Sequence, residues 1–412
     1  KGGFNTDLTQ TNIFDLAKGF FFAASRDKVE KVGNISAVTA STDTYTVDAG
    51  GASFLANDLV NATLFTASGN NGVKTVVSST TTTVVVSESL VDETPPATAQ
   101  LVVVGHVFGT GDLEVLATGG QFATLTTTTK DCTQLGIIAG EHIYIGGDAA
   151  AESFATAANN GWARVRSVTA NEIILDKTAG TMVTDNGASK TITVYLGRIL
   201  KNETGSLIVR STYQMERALG APEDTLPGSI QGEYLTGCVA SELAINVPKA
   251  EKITCDMSFM GLDHEVVTST TGLKTGTRPA VTAEDAFNSS SSVKRLKFSR
   301  TSATVSNVDA LFDYIGQLTL SINNGIARNQ AIATTGAFDC SEGDFELSIE
   351  LEGFFANVDV LTGVRDNDDL TIDMQMVLNN AGISIDIPLL AGSGALANVE
   401  SDAPIMISLT SE

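Results

Sequence analysis

The chain has 412 residues, 42% of them hydrophobic and 18% charged, a globular composition long enough for two or three domains of ordinary size. Its formal net charge of −23 excludes a protein that grips nucleic acid by neutralising phosphates. Thr, Val, Gly and Ser are abundant, which favours strands over helices, so a mainly β fold is expected.

The first feature along the chain is an internal repeat. Asn70-Asn71-Gly72 falls on Asn159-Asn160-Gly161 at an offset of 89 residues, and at that offset Phe65 meets Phe154, Val76 meets Val165 and Val84–Val86 meets Ile173–Leu175. The copies cover residues 33–106 and 118–200, with 107–117 as a linker. Each is expected to be a small SH3-like β-barrel, with Asn-Gly forming a hairpin turn because both residues tolerate positive φ. The single tryptophan, Trp162, follows the second turn, with Arg164 and Arg166 beyond it. It reads as packing, or as a surface on which a sugar or base could stack.

From Lys201 onward, strands of period two predominate. In 252–261 the apolar set Ile253, Cys255, Met257 and Phe259 alternates with Lys252, Thr254, Asp256 and Ser258. Residues 268–292 are rich in Thr, Ser, Gly and Lys without apolar periodicity, and read as a long loop. Alternation returns in 317–323, in 344–353 and in 370–376, where Leu370, Ile372, Met374 and Met376 alternate with Thr371, Asp373 and Gln375. Such strands form an antiparallel sheet with one face on a core and the other in water. Asp256, Glu346, Glu350 and Asp373 would share the wet face. Between the last two strands, Val358, Leu361 and Val364 predict one short helix over 357–366, with Asp359 as its N-cap.

The charge is unevenly spread. Residues 1–200 hold 19 acids and 12 bases, residues 201–412 hold 29 and 13, and beyond Asn329 the sole base is Arg365 against 15 acids. Cys132, Cys238, Cys255 and Cys340 lack CxxC spacing and are expected as reduced, buried thiols. His106, His142 and His264 form no zinc motif, and no nucleophile elbow or phosphate-binding glycine loop occurs. Glu346 and Glu350 lie roughly 13 Å apart along one strand, too far for glycoside hydrolysis. The run 365–369 lacks the glycine and terminal Glu of a calcium loop and reads as a solvated turn. Neither a catalytic residue nor a cofactor or metal is expected. No apolar run reaches the ~20 residues of a membrane span and no leader opens the chain, so no membrane insertion is expected.

Several stretches, taken in order, resemble the tail tube proteins of long-tailed, non-contractile (siphovirus-type) phages. They are STYQMER (211–217), GSIQGEYLTGCVASELAINVPKAEKITCDMSFMG (228–261), QLTLSINN (317–324), FELSIELEGFF (345–355), DNDDLTIDMQMVLNN (366–380) and IDIPLLAGSGALANVESDAPIMISLTS (385–411). The resemblance implies a tube domain over 201–412, a β-barrel or sandwich with one flanking helix, preceded by an arm in 1–32 that begins the domain. It implies self-assembly into hexameric stacked rings whose acidic lumen conducts double-stranded DNA during ejection. Tape measure, tail terminator and tip proteins would be partners, in a virion assembled in the host cytoplasm. Lumen-facing positions would be Thr254, Asp256, Thr319, Glu346, Ser348, Glu350, Asp373 and Gln375. Thr268, Lys274, Arg278 and Glu284 would belong to an inter-ring loop. The two repeats would be insertions outside the bore, as decoration or host-contact modules. The competing readings are a secreted or surface β-modular adhesion protein, or another virion structural or decoration protein.

Overall fold

A computed structural model describes the chain except residues 120, 221–229, 270–272, 277, 279–283, 313, 380, 399–401, 403 and 412. The fold is mainly β and divides into two compact units. Unit 1 comprises Lys1–Ala24, Leu200–Thr301 and Asp309–Glu412; unit 2 comprises Ser25–Ile199 and Ser302–Val308.

Unit 1 is built from strands β1 (Gly2–Asp7), β2 (Tyr213–Gly220), β3 (Ile230–Val247), β4 (Thr254–Met260), β5 (Asp263–Ser269) and β6 (Val293–Arg300). These are followed by β7 (Ile315–Asn323), β8 (Glu346–Phe354), β9 (Asp369–Leu378), β10 (Ala381–Asn398) and β11 (Met406–Ser411). Their order in the sheet is β1-β4-β3-β7-β8-β11-β10-β9-β6, with β2 and β5 flanking the first half of β3. The alternation decides how this sheet folds. Leu243, Met257, Phe259, Leu318, Leu320, Ile349 and Leu351 from one stretch share a single core with Phe298, Ile372, Met374, Met376 and Ile387 from the other.

The sheet therefore doubles over that core. β10 makes the turn, pairing with β9 through its first half and with β11 through its second, with a register shift between Ser393 and Leu396. The sheet order is an open path ending at β1 and β6. Unit 1 is a bent, sandwich-like sheet rather than the closed barrel that the sequence left open.

Two helices pack on this core where one was expected. α1 (Phe14–Phe21) is the addition. Its Phe20 is fully buried with its ring centroid 5.3 Å from that of Phe259. Gly19 lies so close to Tyr213 that a Cβ there would sit 2.6 Å from the ring. With β1 paired to β4 in full register, the first 24 residues are an edge strand and a core helix. α2 (Asp359–Arg365) is the expected helix, and Val360, Leu361 and Val364 face the core. Val358, 59% exposed, is its N-cap residue in place of Asp359, and Asn357 Oδ1 accepts from the Asp359 amide at 2.8 Å.

In unit 2 each repeat has its own core, one around Tyr45, Val60 and Val76 and the other around Ile143, Val165 and Leu175. The repeats do not close into barrels. Strands Gln100–Val107 and Thr193–Tyr195, which occupy equivalent places, pair antiparallel and join both copies into one 13-stranded open sheet.

Nor is Asn-Asn-Gly a hairpin turn. In each copy a 3-10 turn ends on a fully buried first asparagine. The side chain of Asn70 donates to Val91 O and accepts from Val91 N, at 2.9 and 2.8 Å; Asn159 does the same with Val183, at 2.9 Å both ways. The second asparagine brackets the preceding loop, Asn71 on Phe65 and Asn160 on Phe154. Each buried bond left unmade would cost about 1–3 kcal/mol, so the motif is retained for its side chains as much as for its backbone freedom.

Candidate functional site

The register of unit 1 assembles one polar surface. Asp256 of β4 lies between Asn5 of β1 and Ala244 of β3, and the row continues through Ser321 of β7 and Ser348 of β8. The adjacent row is Asp7, Thr254, Asn246, Thr319, Glu350 and Thr410. On the other side lie Gly3, Ser258, Glu242, Asn323 and Glu346. Period two turns all of these away from the core. The surface thus brings together Thr254, Asp256, Thr319, Glu346, Ser348 and Glu350, and adds Asp7, Glu242 and Glu352.

None of β1, β3, β4, β7, β8 and β11, six consecutive strands in the sheet, contains Lys, Arg or His. Asp256 is held by neutral donors, Asn5 Nδ2 at 2.5 Å and Asn246 Nδ2 at 2.8 Å, which satisfy its oxygens and leave its charge. Asn323 Nδ2 lies 3.3 Å from Glu346. Cations reach the surface at its margins, Lys1 on Glu242 at 2.6 Å and Lys252 on Asp7 at 2.9 Å. Repulsion is limited because the cross-strand neighbours of these carboxylates are uncharged, Asn323 beside Glu346, Thr319 and Thr410 beside Glu350, and Gln317 and Ser408 beside Glu352. Along β8 the pair Glu350 and Glu352 lies within the ~10 Å screening length of 0.1 M salt, and Glu346 and Glu350 lie beyond it.

Asp373 and Gln375 do not share this surface. They lie on β9, on the other wall of the folded sheet, and both are buried. Asp373 is paired with Arg295 and stands across from Lys297 and Asp386. β6, beside it, carries Lys294, Arg295, Lys297 and Arg300. Alternation turned these residues away from the core as expected, but the sheet order puts them in a mixed-charge layer.

The segment read as one long loop is strand at its start. Thr268 belongs to β5 and pairs with Gln231. Lys274 pairs with Glu265 and lies 5.1 Å from the centre of the Tyr234 ring. Arg278 holds Glu216 through two nitrogens, and Glu284 accepts from Thr11 Oγ1 at 2.6 Å. Within it, residues 270–272, 277 and 279–283 lie outside the described residues.

Arg278 first, and the Tyr234 hydroxyl second, hold the Glu216 carboxyl down at about 2, against about 4.3 in an unfolded chain. A depressed folded-state value means that this tie stabilises the fold above about pH 4 and is lost as pH falls towards 2. A carboxyl-detected NMR titration is expected to find Glu216 still ionised at about pH 3.5, where ordinary glutamates are mostly protonated. A midpoint near the unfolded value would dispose of the tie.

All four cysteines are buried and unpaired, and burial pushes the Cys132 thiol up to about 11 and that of Cys255 to about 12. In the acidic run after α2, Asp366 pairs with Arg365 and Asp368 with Arg300. Among the described residues no group of three or more His, Cys, Asp and Glu is arranged to hold a metal ion.

Glu242 and Asp7 were missed in the sequence for different reasons. Glu242 follows from extending the alternation of Leu243, Ile245 and Val247 backwards. Asp7 joins the surface through a pairing some 250 residues away in the chain, and no local signal carries that.

A bent antiparallel sheet, with one polar wall free of cations over six strands and an apolar core beneath it, defines a mainly β structural protein. The family model described as phage tail tube protein matches residues 1–411. The chain belongs to that family and is a structural component of the phage virion. The match takes in both units, whereas the resemblance read from the sequence rested on residues 201–412. No curated protein matches the chain.

Proposed function

We propose that copies of this chain assemble into hexameric stacked rings, with the polar wall of unit 1 facing a bore through which double-stranded DNA passes during ejection. The observation that carries this reading is the absence of Lys, Arg and His from the six consecutive strands of that wall, together with its carboxylates Asp7, Glu242, Asp256, Glu346, Glu350 and Glu352. A conduit has to offer DNA little binding. Each cation facing a phosphate releases counterions and holds the strand, whereas a hydrated acidic wall repels it at close range, within about 10 Å at 0.1 M salt. The wall lubricates and does no chemistry. Tape measure, terminator and tip proteins would meet the assembly inside or at its ends.

The purified full chain is expected to form hollow tubes under negative stain, and a reconstruction should place Asp256, Glu346 and Glu350 on the inner surface. Tubes with those residues outside would overturn the wall assignment. Beads or solid fibres would favour an adhesion protein.

A further inference from the structure

The repeat in unit 2 supplies its own control experiment. In each copy, the residue after the Asn-Asn-Gly glycine stands opposite a residue of a neighbouring strand, which in turn stands opposite one on a third strand. In the second copy these are Trp162, Tyr144 and Tyr195. In the first they are Val73, Asn61 and Val102. The same strand arrangement is therefore made without an aromatic ring at any of the three places.

In the second copy the rings form a contiguous row across three strands. Tyr144 and Trp162 are 5.3 Å apart between centroids and nearly perpendicular, and Tyr144 and Tyr195 are 6.4 Å apart. Tyr144 is 37% exposed, and the other two are half-buried. Exposed aromatics that the fold does not require mark binding surfaces, because they give a large, rigid contact area with a polar handle.

The surroundings narrow the ligand. The Arg164–Asp176 ion pair, at 2.5 Å, occupies the next outward position on the Trp162 strand. At the other end of the row, the Thr193 amide, two residues before Tyr195, donates to Glu152 O at 3.0 Å and Thr193 O accepts from the Gly146 amide at 2.8 Å, which sets the loop carrying Asp148 and Glu152 beside the Tyr195 strand. Carboxylates at that rim accept hydroxyl hydrogens and repel phosphates, so a nucleotide is disfavoured. Apolar rings bordered by fixed polar groups match a sugar, whose C–H face is apolar and whose rim is hydroxylated.

We infer that Tyr144, Trp162 and Tyr195 form a binding site for a neutral glycan, with a pyranose ring laid on their outward surface and its hydroxyls met by Asp148 and Glu152. This site lies in unit 2 and is independent of the reading of the unit 1 wall.

Trp162 is the only tryptophan, so emission of the full-length protein excited at the red edge, beyond the absorption of tyrosine, reports this site alone. Titration with cellohexaose, maltohexaose and chitohexaose is expected to give a saturable emission shift with at least one of them, and titration with a single-stranded DNA oligonucleotide none. The triple variant Tyr144→Asn, Trp162→Val, Tyr195→Val installs the residues of the first copy. It is expected to keep the wild-type Tm and to bind the same hexasaccharide at least about tenfold more weakly by calorimetry. The proposal is overturned if no hexasaccharide shifts the emission, if the oligonucleotide saturates it instead, or if the triple variant unfolds, since the rings would then be packing.

Discussion

Phage carrying Glu346→Lys and Glu350→Lys together are expected to build tails of normal length yet deliver DNA at less than about a tenth of the wild-type frequency. Both side chains are exposed and neither takes part in an ion pair among the described residues, so the fold should tolerate the exchange to within about 0.5 kcal/mol. The consequence lies with the passing polymer. In the proposed assembly, two lysines per subunit, repeated around and along the bore, would replace repulsion with a lattice of phosphate contacts, each adding to the counterions released on binding.

The charge-neutral pair Glu346→Gln and Glu350→Gln separates the two contributions. It removes repulsion without adding attraction and should cost far less. Raising the ionic strength during ejection should partly restore the lysine variant, because phosphate contacts weaken steeply with salt. Normal tails delivering DNA at wild-type frequency in the lysine variant would remove the acidic wall from the mechanism.

The strands over 252–261, 317–323, 344–353 and 370–376 were legible because each has one face on a core. Alternation over 317–323 corresponds to β7 at Ile315–Asn323, and over 370–376 to β9 at Asp369–Leu378. What period two does not carry is which strands become neighbours. Asp256 and Asp373 obey the same local rule, but five strands lie between theirs in the sheet, β3, β7, β8, β11 and β10, and only the core they share shows that the sheet has folded between them. α1 escaped notice for a related reason. Eight residues containing Gly19 and three phenylalanines make a poor isolated helix, and Phe259 and Tyr213, which stabilise it, lie about two hundred residues away or more in the chain.

The repeat shows the converse. Its spacing and order were plain in the sequence, while the role of its central motif was not. Asn-Gly is a strong hairpin signal when the backbone alone decides. Here the asparagine side chains capture the backbone of Val91 and Phe65 in one copy and of Val183 and Phe154 in the other, and a side-chain network of that kind leaves no periodic trace.

Lys28→Met is expected to destabilise unit 2 by about 3–5 kcal/mol. The Lys28 ammonium lies 2.7 Å from the Glu141 carboxylate, and the two side chains are 3% and 2% exposed. Lys28 also donates to Gly136 O at 2.7 Å, and Glu141 Oε2 accepts from the Ile138 amide at 3.2 Å. No periodicity marks a lysine as buried, which is why the sequence left it in an N-terminal arm. Removing the cation strands a carboxylate in a dry site, and that penalty, rather than the worth of the pair, sets the size of the effect.

The pH dependence tests this directly. Burial already raises the Glu141 pKa, against the pull of Lys28, and loss of Lys28 will raise it further. An acid raised on folding contributes stability that is fully present below its unfolded value, near 4.3, and is lost as pH rises through the folded value. The Lys28→Met deficit, measured by urea unfolding and by amide exchange across 136–145, should therefore be largest at neutral pH and shrink as the solution is acidified. Adding Glu141→Leu should recover most of the loss, because an apolar pair of similar volume leaves no charge to desolvate. A deficit below about 1 kcal/mol that does not change with pH would mean that water reaches the site and that the pair is not buried in solution.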